Sequence, residues 1–185
     1  IKYAKVSKSN DNVKVEAFGI KFYDKEIITK LAKETGLSEE YIEENEQKRT
    51  ALANLETDQV TGLSTRDELF IKESELIKKL AKKDSCVIVG RCADFIMKDN
   101  KNAVKVFIYS NMEDKIKRVN KFYGVDKEKA EKEIKNTDKQ RSNHYKHYTD
   151  REWKEYSNYD ICINSDTLGV EKSADVIYNM IQNRK

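Results

Sequence analysis

Apolar positions along the chain follow two periods. Short, nearly unbroken apolar runs at Cys86–Val89, Val104–Tyr109 and Tyr159–Ile163 predict buried strands. Ile20–Tyr23 predicts one more short strand. Between and after these runs the spacing becomes helical. Phe70, Ile77, Leu80 and Ala81 share one face, as do Met112, Ile116, Val119 and Tyr123, and Val170, Ala174, Ile177 and Ile181. Strands that are apolar throughout and alternate with helices predict an α/β protein, a parallel sheet covered by helices on both faces.

Other stretches carry weaker patterns. Residues 126–148, "DKEKAEKEIKNTDKQRSNHYKHY", predict a long charged helix with a thin stripe of Ala130, Ile134 and Thr137. Such a helix packs lightly and can move. Residues 54–67 are polar, contain Gly62 and show no period, which predicts a loop. Gly19 closes a helix-like segment before Ile20, with Asp24 as N-cap of a helix carrying Ile27, Ile28 and Leu31. Further upstream, "IKYAKV" and "VKVEAF" around "SKSNDN" read as a hairpin.

Composition narrows the class. The chain has 185 residues, enough for one domain with a buried core. Charged residues make up 37%, yet the net charge is only +3 because lysines and glutamates interleave. That pattern is a solvated surface, with no basic patch, and no RRM, KH or OB signature accompanies it. Nucleic acid and membrane are therefore not expected partners. No run approaches a membrane span or a signal segment. The three cysteines, Cys86, Cys92 and Cys162, form an odd set without CxxC spacing, which points to a reducing cytoplasm and against a disulfide framework or zinc. Ile1 is not an initiator methionine, so the gene is expected to begin upstream.

Several residues are candidates for chemistry. Arg91 stands just past the end of a predicted strand, after Gly90, where ligands of open α/β sheets bind. It can fork onto a phosphate, or it can cap its own helix or pair with Asp94. Asp24 is either a cap alone or a hydrogen-bonding group beyond a strand end. Asp138, Arg141 and Tyr145 are spaced three and four apart on one helix face that continues the sparse apolar stripe, so they are expected to point inward. Arg118, on the preceding helix, can converge on the same place. Arginines from separate segments around one cleft suit a polyphosphate; surface salt bridges are the plainer reading. His144 and His147 lack partners at metal-ligand spacing and read as surface histidines, and no metal site is expected. Cys92 has no histidine that marks it as a nucleophile.

Five blocks in order, "GIKFYDKEIITKLAKETGLSEEYIEE", "CVIVGRCADFIM", "VKVFIYSNMEDKIKRV", "IKNTDKQRSNHYKHYT" and "SNYDICINSDTLGVEKSADVIYNMI", resemble the cytidylate kinase-like family, a bacterial branch of the nucleoside monophosphate kinases. The likeness spans about residues 17–182. It implies a three-layer P-loop kinase fold in one domain over 1–185. The core would be 1–53, 68–120 and 155–185, the acceptor-side loop 54–67 and the helical lid 121–154. It implies γ-phosphoryl transfer from ATP with Mg²⁺ to CMP or dCMP. By the same resemblance, Asp24, Arg91 and Asp138 bind substrate, and Arg118 and Arg141 act on the phosphates.

One region departs from the family pattern. A strand, a glycine-rich loop and a helix are expected upstream of "AFGIKFYD", whereas "IKYAKVSKSNDNVKVE" has no glycine. A phosphate cradle needs glycines so that successive N–H groups can face one anion. Either the loop lies outside this chain, or the cradle is lost and the protein binds nucleotides without transferring phosphate. The loop at 54–67 is also shorter than the family's.

Overall fold

The structure, a computed structural model, describes residues 4–9, 12–17, 20–47 and 62–183. In chain order the elements are β1 (Ala4–Ser9), β2 (Asn12–Ala17), β3 (Lys21–Tyr23), α1 (Glu26–Thr35), α2 (Glu39–Gln47), α3 (Thr65–Lys83), β4 (Cys86–Ile88), α4 (Ala93–Ile96), β5 (Val106–Tyr109), α5 (Met112–Tyr123), α6 (Lys127–Thr149), a 3₁₀ turn (Tyr156–Asn158), β6 (Ile161–Asn164) and α7 (Ser165–Gln182). The protein is mixed α/β with short parallel strands. β3 pairs with β4 in parallel, Tyr23 opposite Ile88, and β5 pairs with β6 in parallel, Tyr109 opposite Asn164. β1 and β2 form the antiparallel hairpin read from the sequence, Ser9 opposite Asn12. Because β2 runs to Ala17, the segment before Gly19 is extended rather than helical. Among the described residues the three pairs are separate sheets.

The core sits on the β3–β4 side. Ile27, Ile28 and Leu31 of α1, Ile42 of α2, Leu69, Leu76 and Ile77 of α3, and Tyr23 form one buried cluster. α1 ends at Gly36, whose φ of 75° lets its N–H reach back to the Ala32 carbonyl. α3 starts one turn earlier than the predicted loop allowed. Ser64 caps it by accepting from the Asp67 N–H, which makes residues 65–67 helical; residues 54–61 lie outside the described residues. The other helix stripes are right in period but slightly rotated. Tyr123 is 68% exposed and Val170 is also exposed. In α6, Ala130 and Ile134 are buried as predicted, but Thr137 faces out and Asp138 takes the inward position. Among the described residues, no helix is long and apolar enough to cross a membrane.

Candidate functional site

The ends of both parallel pairs carry the polar groups singled out in the sequence. Past β4, the Val89 N–H donates to the Tyr23 carbonyl at 2.9 Å, so the two chains leave the ladder side by side. Asp24 follows one strand and Gly90-Arg91 the other. Gly90, Arg91 and Cys92 then adopt φ of 71°, 55° and 52°, three left-handed residues in a row. Glycine takes this conformation freely, but each of the other two costs about 1–3 kcal/mol, a strain that recurs at ligand-binding turns.

Arg91 does not pair with Asp94. Its Nη1 donates to Glu73 Oε1 of α3 at 2.7 Å, and the two side chains are 12% and 3% exposed. Asp94 instead accepts from the Tyr145 hydroxyl of α6 at 2.6 Å. Asp24 is not the cap of α1. Lys25 holds that position without a side-chain bond, and the Asp24 N–H itself donates to Glu26 Oε2 at 3.0 Å. The cap reading fails because Glu26, one residue into the helix, reaches back to the same turn.

At the second strand pair, Asp166 accepts from Ser110 Oγ at 2.5 Å and from the Asn111 N–H at 2.6 Å, joining the two strand ends. Arg118 donates to Ser165 Oγ at 3.2 Å and lies 3.7 Å from Asp166. Ser165 in turn donates to the Tyr109 carbonyl. Arg118 is thus tethered at the carboxyl end of β5 and β6.

α6 links the two ends. Asp138 meets Lys115 Nζ at 2.6 Å, Arg141 Nη1 at 3.4 Å and Lys154 Nζ at 3.8 Å. One carboxylate therefore faces three cations, a local excess of positive charge that suits an anion. Arg141 stays exposed, its side chain 61% accessible, although its spacing places it on the same helix face as Ile134 and Tyr145: Asp138 meets Lys115 of α5 and Tyr145 meets Asp94 of α4, while the Arg141 guanidinium reaches back to Asp138 of its own helix. Two turns further on, the helix is clamped to α3. Tyr148 stacks on Phe70 at 3.8 Å between centroids and donates to the Arg66 carbonyl.

His144 lies edge-on to both of those rings and is not the surface residue expected from the sequence. Burial, with the Arg66 and Arg91 charges and His147, pushes its pKa down to about 4. His147 is exposed, with Nε2 3.6 Å from Asp67. The cysteines are all free, and burial raises the Cys92 thiol far above the range of a reactive thiolate. Among the described residues no three His, Cys, Asp or Glu side chains converge as a metal cage.

The structure thus brings Asp24 and Arg91 to one strand-pair end. Arg118 sits at the other, Asp138 meets Lys115 of α5 beyond it, and Arg141 stands exposed beside Asp138. Sequence reasoning missed Glu73, Lys115 and Lys154. Glu73 had a signal: it falls four residues after Leu69 and three before Leu76, on the buried stripe of α3. Lys115 and Lys154 had none, because only the crossing of α5, α6 and the following turn brings them to Asp138.

The chain as a whole is similar to known proteins. The profile of the cytidylate kinase-like family matches residues 15–167. A crystal structure of an uncharacterized protein from Eubacterium ventriosum is similar at a TM-score of 0.58 and 30% identity, over 85% of this chain and 90% of that one. No curated protein matches the chain. The match to the family covers most of the sequence, including both strand-pair ends and α6: the chain belongs to the cytidylate kinase-like family.

Proposed function

We propose that the protein is a nucleoside monophosphate kinase that transfers the γ-phosphoryl group of ATP to CMP or dCMP. The observation that carries this reading is the placement of basic groups at the carboxyl ends of two parallel strand pairs. Arg91 stands at one end, and Arg118 at the other with Lys115, Arg141 and Lys154 nearby. Phosphoryl transfer passes through a loose transition state with charge spread over the equatorial oxygens, so catalysis is positioning and charge stabilisation. In this reading Arg91, Asp24 and Asp138 hold the acceptor nucleotide. Arg118 and Arg141 stabilise the transferring group. Mg²⁺ enters with the ATP phosphates as part of the donor substrate, held mainly by phosphate oxygens and water, and neutralises their charge. The same reading makes the fold a three-layer P-loop kinase working on cytoplasmic nucleotides.

The test is release of ADP by the full gene product, followed by a coupled assay. ADP is expected only with CMP or dCMP and Mg²⁺ present together. One observation favours a second reading, a nucleotide-binding regulatory protein on the same fold. β1 and β2, Ala4–Ser9 and Asn12–Ala17, pair antiparallel just before β3, where a glycine-rich phosphate loop would stand. Folded protein that binds CMP but releases no ADP with any nucleoside monophosphate selects that reading.

The lid, residues 121–154, divides by its packing. The far part of α6 is clamped through Tyr145, Tyr148 and Thr149, whereas its first turns bury only Ala130 and Ile134. Amide exchange in 127–141 is therefore expected to slow strongly when a bisubstrate mimic binds, while 144–149 is protected in the free protein too. Arg141→Ala should remove most of the gain. Full protection of 127–141 without ligand would place the whole helix in the rigid core.

A further inference from the structure

We propose that Glu73 is the positioning residue for Arg91, fixing the guanidinium in the orientation that receives the acceptor's phosphate. The inference rests on the kinase reading above and deepens it. Glu73 occupies a place on α3 where the pattern calls for an apolar residue: its neighbours on the stripe, Leu69, Leu76 and Ile77, are all buried. Burying a carboxylate there is expensive, and a buried ion pair is often no more stable than well-packed apolar side chains of the same volume. Stability alone does not account for a glutamate at this position.

The geometry supplies the other reason. Arg91 is held at both ends. Its backbone is set by the left-handed turn Gly90-Arg91-Cys92, and its Nη1 is set by the charge-assisted bond to Glu73 at 2.7 Å. A guanidinium has five donors, enough to hold a carboxylate and a phosphate at once. A planar fork fixed this way meets a phosphate with little reorganisation, and that pre-alignment matters most in the transition state. Asp94, two residues after Cys92, does not compete for the guanidinium, because it accepts from the Tyr145 hydroxyl instead.

Glu73 also has an opposing electrostatic effect. Its charge cancels that of Arg91, so removing it makes the site more attractive to an anion while loosening the fork. Binding and turnover should then separate. Glu73→Leu keeps the packing volume and removes the acceptor; Glu73→Gln keeps an acceptor oxygen and removes the charge. With CMP, kcat is expected to fall at least tenfold in Glu73→Leu and to stay within about threefold in Glu73→Gln. The CMP dissociation constant should weaken by less than threefold in either.

Nitrogen-15 resonances of the Arg91 guanidinium, assigned with Arg91→Lys, give a readout that a merely structural role would not move. Wild type should show restricted rotation of the Nη groups, lost in Glu73→Leu, with the resonances shifting on addition of inorganic phosphate. A folded Glu73→Leu protein with kcat within twofold of wild type overturns the proposal, as does a freely rotating Arg91 guanidinium in wild type. If Glu73→Leu does not fold, the wild-type resonances still decide. Wild type that neither binds nor phosphorylates CMP refutes the kinase reading, and the phosphate titration of the Arg91 resonances then tests the positioning role by itself.

Discussion

Arg91→Ala is expected to lower the unfolding free energy by about 3–5 kcal/mol, the usual result of removing one partner of a buried ion pair. The reason lies in Glu73. Its side chain is 3% exposed, so losing the Arg91 cation weakens the compensation of a buried carboxylate charge. Arg91→Leu combined with Glu73→Leu should recover most of the loss, because neither charge is then left behind. Denaturant titration of the four proteins forms a double-mutant cycle, and a coupling well above 1 kcal/mol is expected. The double variant separates fold from function: it should be stable yet bind CMP no better than cytidine. A cycle with near-additive losses would mean that the pair contributes little and that the turn at 90–92 is held by its backbone alone.

Acidification should destabilise the protein through His144. Burial, Arg66 and Arg91 keep this imidazole neutral, its pKa pushed down to about 4 from the usual 6.5. Above pH 6.5 the side chain is neutral in both folded and unfolded protein, and its full contribution is present. As pH falls from 6.5 the unfolded chain takes up the proton and the folded one does not, so stability is lost progressively down to about pH 4. The loss is about 2–3 kcal/mol for a shift of this size in a side chain with residual solvent contact. Glu73 and Arg66 line the same cavity as His144, and His147 Nε2 lies 3.6 Å from Asp67. Comparison with His144→Gln isolates the histidine. The wild-type and variant curves should converge or cross between pH 7 and pH 4, and parallel curves would remove His144 from the account. Because His144 sits in the seam between α3 and α6, the same pH range should loosen the clamped end of α6.

The apolar patterns carried the elements themselves. The strand positions at 86–88, 106–109 and 161–164, the long helix after Asp126 and the hairpin before Gly19 follow from local periods and turn residues, which act over a few residues and need no partner. Placing Arg91 just past a strand end was legible for the same reason, since a glycine after a β-branched run marks where the chain turns. What the side chains do there was not legible. A glutamate on a helix reads as solvated, and only the packing of α3 against the strand end makes Glu73 the partner of Arg91. Asp94 stood nearer in sequence but was taken by Tyr145, from 51 residues away. Likewise a helical period predicted one shared face for Asp138, Arg141 and Tyr145, and the three do fall within about 60° of one another around the helix, but a shared face does not fix which of its residues a neighbour covers. Contact with α5 and α4 turned Asp138 and Tyr145 inward and left Arg141 outside. The sequence by itself determined where strands and helices begin, and which residues stand at strand ends, because those depend on local backbone preference and burial period. Only the tertiary structure decided which charges meet, because desolvation and pairing energies depend on distances between segments that no spacing along the chain encodes.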